Sequence, residues 1–371
     1  MKHEVMIIGG GVVGMAVAYG LARRGRRVCV LDEHDTALKA SRGNAGLVWV
    51  QGKGAGMPTY AAMSLASSRA WPGFAGELGE RTGVDLEFEQ PGGVDLCLDD
   101  DEVRSRCAEY QTLYDTPWAR EAGVRWEYLE GERLQRLLPG LGSDVPGGIW
   151  TPHDGHCNPL FLLRALYSAC QALGVDVRPH HPVASIDPGE AGFVAHTARG
   201  AVSAERLVLA CGLGAARLAP PLGLCGRVTP VRGQVLVSER LPAARRLPTP
   251  QIRQTASGGY LIGDVLEHVG HDTRVTLDTL HALARRAVTI YPDLASARLV
   301  RSWAALRIMT PDGCPVYEAS QRYPGAYNLS CHSGITLAAF HADELAAALD
   351  DDRLTERYPL FSGGRFDVQA A

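Results

Sequence analysis

From Glu4 the chain runs through "EVMIIGG", a short apolar stretch suited to a parallel strand buried on both faces. A helical pattern, "VVGMAVAYGLARRG", follows at once. Arg23, Arg24, Arg26 and Arg27 gather around Gly25, where a helix would close and its dipole is negative, and read as a solvated helix end. "RRVCVLDE" gives a second strand ending near Asp32. Much later, "RLVLACGLGAARL" (206–218) predicts a buried strand that breaks at Gly212 and turns into a helix. Asn158-Pro159 predicts an N-cap and first-turn proline opening an amphipathic helix through Leu163 and Leu166. "PDGCPVYEA" (311–319) predicts a turn and a short strand, and "AYNLSCHSGITLAAFHADELAAAL" (326–349) a strand leading through Ser333-Gly334 into a helix. Residues 86–98 and 232–269 are strand-like, with "GQVLVSE" and "GGYLIGD" among them, and predict an antiparallel sheet.

The spacing Gly9-x-Gly11-x-x-Gly14 lies directly after the first strand and opens the first helix, and Asp32 follows 18 residues beyond Gly14. In that register each residue has a task. Gly9 allows a sharp turn, Gly11 lets the backbone approach a pyrophosphate, Gly14 lets helix and strand pack closely, and Asp32 accepts from ribose hydroxyls. The same stretch, Val5 to Ala22, is uncharged and could pass for a membrane span. Its glycines favour strand, turn and helix instead.

Composition narrows the picture. With 371 residues, 46% hydrophobic and 21% charged, the chain can bury a large core and is expected to form two interleaved domains. A net charge of -4 without basic blocks gives no footprint for nucleic acid or anionic lipid. The nine cysteines form no CxxC pair, which fits free thiols in a reducing compartment, the cytoplasm, and leaves no pattern able to hold an iron-sulfur cluster.

"SRGNAGLVW" (41–49) reads as a loop passing close to a bound cofactor. Cys331-His332 invites a nucleophile or metal reading. No Cys-His-Asn set accompanies it, and His332 and His341 are nine apart without metal-ligand spacing, so neither reading is favoured. A helix starting at Gly334-Ile335-Thr336 would instead aim unpaired backbone N–H groups at whatever lies before it.

The whole chain resembles the FAD-dependent amine and amino-acid oxidoreductases, the family of D-amino acid oxidase, D-amino acid dehydrogenase, glycine oxidase and sarcosine oxidase. The resemblance rests on "IIGGGVVGMAVAYGLARRGRRVCVLD", "SRGNAG", "LVLACG", "VTPVRGQ", "LRIMTPDGCPVY" and "CHSGITLA". "GLVWVQGKG" and "TPHDGHCNPLFLLRAL" add a likeness to the flavoprotein subunits of D-hydroxyproline dehydrogenase, opine oxidase and hydrogen cyanide synthase. It implies an α/β chain (α+β overall) with a Rossmann-like FAD-binding domain built from residues 1–84, 143–225 and 301–371. An antiparallel-sheet substrate domain of residues 85–142 and 226–300 is inserted, as in glycine oxidase and D-amino acid oxidase. FAD would then be held by Gly9, Gly11, Val12, Val13 and Gly14, by Asp32 and Glu33, and by Ser41, Asn44, Ala45, Gly46 and Leu47. Val183 would lie along its adenine end, with Gly212, Arg307 and the helix start Ser333, Gly334, Ile335 and Thr336 completing the site.

The resemblance also implies the chemistry: oxidation of a C–N bond beside a carboxylate, by hydride transfer to flavin N5. Arg307 would grip the carboxylate of an amino or imino acid, with His332 and Tyr260 lining the pocket and Arg232 a weaker candidate whose alternative role is to hold a domain junction. Electrons would pass to partner subunits carrying a second flavin or an iron-sulfur cluster. A stand-alone oxidase using oxygen and a non-catalytic FAD-binding subunit are the alternatives.

Overall fold

The strand His3–Ile8 lies in the middle of the larger of two main sheets. The structure, a computed structural model, describes residues 3–34, 39–244 and 247–367. On one side of His3–Ile8 runs Val28–Leu31 and then Asp176–Arg178; on the other run Gly200–Leu209 and Ala326–Ser330, all parallel. Val316–Ala319 closes that edge antiparallel, and a hairpin, Val183–Gly189 with Gly192–Thr197, extends from the early part of Gly200–Leu209. Ile8 stands opposite both Leu31 and Leu209, and Leu209 opposite Asn328. The strands therefore finish level, and Gly9, Asp32 and Ala210 emerge side by side at one edge. In such a sheet the crevice outside the carboxyl ends is where a ligand binds.

Alternate residues of these strands feed two cores. Val5, Ile7, Val30 and Val208 pack with the helices Val12–Arg23 and Pro159–Ala172, whereas Met6, Ile8, Leu31, Leu207 and Leu209 pack with the hairpin and with Leu218 and Leu222. Double-sided burial explains why the strands read as unbroken apolar runs. The uncharged stretch Val5–Ala22 is divided as the glycines suggested, into a strand ending at Ile8 and a helix beginning at Val12. Among the described residues no helix is long and apolar enough to cross a membrane. Asn158 caps its helix as expected, its side chain accepting from Leu160 and Phe161 N–H with Pro159 in the first turn.

Two features differ from the sequence reading. The arginines after the first helix are not simply solvated: Arg23 bonds Glu77 at 2.6 Å and Asp343 at 3.2 Å, while Arg26 bonds Asp350 and Glu4. They tie the helix end to the helix Pro58–Thr82 and to the C-terminal helical segment. That segment is also interrupted. It runs as Ala338–Phe340 in α form, His341–Leu345 with π spacing, and Ala346–Asp350 in α form again. His341 sits at the irregularity with Nε2 2.7 Å from Tyr317 OH.

The second sheet is antiparallel in the order Ile252–Gln254, Gly259–Ile262, Thr229–Arg240, Leu299–Met309. Its longest pair, Thr229–Arg240 with the edge strand Leu299–Met309, stays in contact from Thr229 opposite Met309 to Ser238 opposite Leu299. A smaller sheet, Gly93–Cys97, Gly147–Thr151 and Glu127–Leu129, joins it through Val94 N–H donating to Pro248 O. Gly147–Thr151 and most of Leu299–Met309 fall within the segments 143–225 and 301–371 that the family resemblance implied for the nucleotide domain. Their hydrogen bonds go to the antiparallel sheets instead, because a strand's pairing partner is a non-local property that its own residues do not specify.

The first helix owes its position to small residues. A Cβ on Gly20 would collide with Ala342 O and Ala346 Cβ of the C-terminal helical segment. Gly20→Ala should therefore destabilise the fold by about 1–3 kcal/mol despite the roughly 1 kcal/mol that alanine offers in a free helix. Urea unfolding checks this, and an unchanged or raised midpoint would show that the two helices can separate without cost.

Candidate active site

A cavity of about 890 Å³ opens between the carboxyl edge of the parallel sheet and one face of the antiparallel sheet. The glycine turn forms one end. Gly9 has φ +114°, and a Cβ there would collide with Ala210 O; a Cβ on Gly14 would collide with Gly9 O. Only glycine permits the first strand, the turn and the helix to close on one another in this way. At Gly11 the nearest obstacle to a Cβ is Ser41 Oγ at 3.1 Å, and Gly11 itself lines the cavity. The helix beginning at Val12 has no acidic residue in its own first turn, and its positive end faces the cavity. The residues present thus fit a pyrophosphate at this end.

Asp32 closes the turn from below. Its carboxylate accepts from Gly10 N–H at 2.5 Å and from His34 N–H at 2.8 Å, while Tyr167 OH donates to Gly10 O at 3.0 Å. Glu33 lines the cavity and is ion-paired with Lys39, which holds its carboxyl below the usual range. Val183 reaches the same end from the hairpin; its carbonyl accepts from Arg217 at 2.8 Å. Gly212, at φ +57°, meets Ile308 across the cavity.

The loop 39–50 forms the middle. Ser41 Oγ accepts Val12 N–H at 3.0 Å, Asn44 Oδ1 accepts Gly46 N–H at 2.7 Å, and Leu47–Val48 pairs with Gly155–His156. The antiparallel sheet grips this loop from the other side: Trp303 Nε1 donates to Gly43 O at 3.1 Å and Arg253 Nε to Ala45 O at 2.8 Å. Val12, Gly14 and Gly46 shape the cavity without lining it.

The C-terminal helix start completes the wall. Its first backbone bond runs from Leu337 N–H to Ser333 O, so the N–H groups of Gly334, Ile335 and Thr336 precede the ladder, and all three residues line the cavity. Thr336 Oγ1 accepts Trp49 N–H at 3.1 Å, and a Cβ on Gly334 would lie 3.2 Å from Val13. The first and last motifs of the chain meet here. Cys331 is buried and its thiol is pushed up to about 11 by desolvation, which leaves no thiolate for nucleophilic attack.

Arg307 projects into this end with one NH1 donor on Val265 O at 2.7 Å. Among the described residues no carboxylate pairs with it, since nearby Asp264 is bonded to Arg286. His332 is exposed to the cavity, where desolvation between the walls, together with the charges of Lys53 and Arg307, lowers its imidazole below the usual range and keeps it neutral. Tyr260 is a correction. It points out of the cavity into the apolar cluster of Leu96, Leu236, Leu283 and Ile290, whereas its neighbour Leu261 lines the cavity. One residue along a strand reverses the face. Among the basic cavity residues missed in the sequence are Arg253 and Lys53. The scarcity of lysine, present only at Lys2, Lys39 and Lys53 among 37 basic residues, was the available signal for the second.

Arg232 has the structural alternative. Its buried guanidinium bonds Glu267 at 2.8 and 3.1 Å, Asp272 at 3.0 Å and Arg274 O at 2.9 Å, and so pins the segment whose Asp264, His271 and Thr273 line the cavity. Those bonds hold the Glu267 carboxyl down at about 2. A depressed carboxyl contributes stability above its ordinary value of about 4.3, and that contribution is lost as pH falls toward the folded value. Glu267→Gln should cost on the order of 2 kcal/mol at pH 7 and progressively less below pH 4. Thermal melts across that range check it; a deficit independent of pH would remove the ion pair as its cause.

Comparison with known proteins agrees with this geometry. An opine oxidase subunit of Agrobacterium tumefaciens (strain Ach5) is 39% identical over 368 residues, covering 99% of each chain. The hydrogen cyanide synthase subunit HcnC of Pseudomonas aeruginosa is 28% identical, covering 100% of this chain and 97% of that one. The crystal structure of glycine oxidase from Geobacillus kaustophilus superposes with a TM-score of 0.87 at 28% identity over 95% of both chains. The model of the FAD-dependent oxidoreductases matches residues 4–348, and the chain belongs to that family, with FAD as its cofactor.

Proposed function

We propose that this protein oxidises the C–N bond of an amino or imino acid of D-hydroxyproline or opine type and passes the electrons to partner subunits. The observation that carries this reading is the Arg307 guanidinium, oriented by Val265 O and with no ion-paired carboxylate among the described residues, in the same cavity as the glycine turn. A desolvated arginine fork binds a carboxylate bidentately and fixes its plane. With the substrate's carboxylate so held, its α-carbon is positioned rather than activated, and the chain's contribution is orientation and electrostatics. His332, held neutral, offers a polar wall that adds no charge to compete for that carboxylate.

The bound FAD supplies a two-electron acceptor for the hydride equivalent leaving the substrate carbon. In this reading Gly9, Gly11 and the start of the first helix hold its pyrophosphate and Asp32 its ribose. The N–H groups of Gly334–Thr336 would lie at its pyrimidine end and favour negative charge there. The antiparallel sheets form the substrate domain. The partner reading draws its support from relatives that are subunits by name. A cytoplasmic setting is supported by nine cysteines that are all free thiols.

The test is anaerobic bleaching of the purified flavoprotein by a panel of D- and L-imino acids, opines, glycine and sarcosine. Reduction by a cyclic imino acid or an opine is expected, with slow reoxidation in air. No bleaching by any member would sink the amine chemistry, and peroxide formation by the lone chain at the full catalytic rate would sink the partner step. Arg307→Ala should keep FAD but weaken substrate binding and positioning by about 2–4 kcal/mol, with lysine restoring only part. Unchanged flavin reduction at subsaturating substrate would remove the carboxylate role.

A further inference from the structure

Lys53 lies in the wall of the same cavity, on the turn between the strand Leu47–Val48 and the helix Pro58–Thr82. Its Nζ donates to Ser333 Oγ. That hydroxyl also accepts from Tyr60 OH at 2.8 Å and stands 3.4 Å from His332 Nδ1. Lys53 thus meets the C-terminal helix start beside His332, whose other charged neighbour is Arg307.

The turn is built to present this side chain. Buried Asp154 accepts Val50 N–H at 2.6 Å and Gln51 Nε2 at 2.7 Å, and Tyr114 OH donates to Val50 O at 3.2 Å. Gly54, at φ +85°, lies where a Cβ would come within 2.6 Å of Ala61 N. Asp154 uses its oxygens on the loop, and no carboxylate among the described residues lies within ion-pair distance of Lys53.

The groups facing the amine do not favour its charged form strongly. Cys331 is a neutral thiol, Tyr60 a phenol with its proton held by burial, and His332 a neutral imidazole. Asp154 is itself pushed up to about 7 by burial, and Arg307 adds a like charge beyond His332. Desolvation lowers Lys53 to about 8. Arginine cannot act this way, because it stays protonated. In a chain with only three lysines, the composition does not explain why this cavity cation is a lysine.

We propose that the Lys53 amine is the proton acceptor for the substrate's ammonium group. This rests on the amino- or imino-acid reading above. The substrate N–H bond breaks and an Nζ–H bond forms; no electrons leave either partner. The nitrogen lone pair so freed can form the C=N bond as the hydride equivalent departs from carbon. The proton on Lys53 returns to solvent before the next turnover.

Having three lysines makes the test direct. In FAD-loaded protein labelled with ε-13C lysine, one resonance should titrate near pH 8 and vanish in Lys53→Arg. Anaerobic flavin reduction by the best substrate of the panel should rise with pH through the same midpoint. Lys53→Met and Lys53→Arg should bind FAD normally, yet reduce it on the order of 100-fold more slowly at pH 7.5. Their pH midpoint should move up to that of the substrate's own amine. A Lys53 resonance titrating above pH 10 would overturn the proposal. So would Lys53→Arg with the parental rate and pH profile, which would leave a cation role alone. If no amino or imino acid reduces the parent protein, the functional reading fails separately, whatever the resonance shows.

Discussion

Everything in the site depends on the contact between Gly9 O and Gly14, where strand and helix approach more closely than any side chain would allow. That approach sets the first helix so that its positive end overlooks the level ends of the parallel strands. It also places the helix where Gly20 can seat the C-terminal helical segment. The two ends of the chain are thereby fixed against each other, and Val13 comes to touch Gly334. A cavity assembled from residues more than 300 apart in sequence needs a rigid reference of this kind.

Asp32, Glu33 and Asp264 line the cavity, yet three of its cations have no paired carboxylate among the described residues. Arg307, Arg253 and Lys53 all line it, and Arg253 is buried with its guanidinium on Ala45 O and on His156. Burial depresses the protonated form of each. Unpaired buried charge is costly, so such a cluster is stable where an anionic ligand or several oriented dipoles offset it. A dinucleotide phosphate at one end and a carboxylate at the other both answer that description. Arg232 shows the contrast: with Glu267 and Asp272 around it, the same side chain becomes a structural tie.

The end of the cavity at Thr336 is held from several directions at once. Thr336 accepts from Trp49 through its side chain and, through its carbonyl, from Ser67 at 2.7 Å and Trp71 at 3.0 Å. The loop carrying Lys53 rests on Asp154, which precedes the strand that pairs with Leu47–Val48. Each wall is thus fixed by a segment distant in sequence, which keeps the cavity's polar groups aimed before any ligand arrives.

By itself the sequence determined what is local. Glycine spacing, apolar runs and the Asn158 cap are written in consecutive residues, because turn geometry, double-sided burial and capping act within a few positions. Those signals located the first strand, turn and helix, the strand-to-helix break at Gly212 and the helix start at Gly334. The tertiary structure alone decided what is non-local. It sent Gly147–Thr151 and Leu299–Met309 to the antiparallel sheets and turned Tyr260 into the apolar core. It paired Arg232 while leaving Arg307 with no ion-paired carboxylate among the described residues. It also brought Lys53 to Ser333, 280 positions away. Strand partners, the face a side chain takes and the charges around a buried group depend on which surfaces meet, and residue order does not encode that meeting in any local pattern.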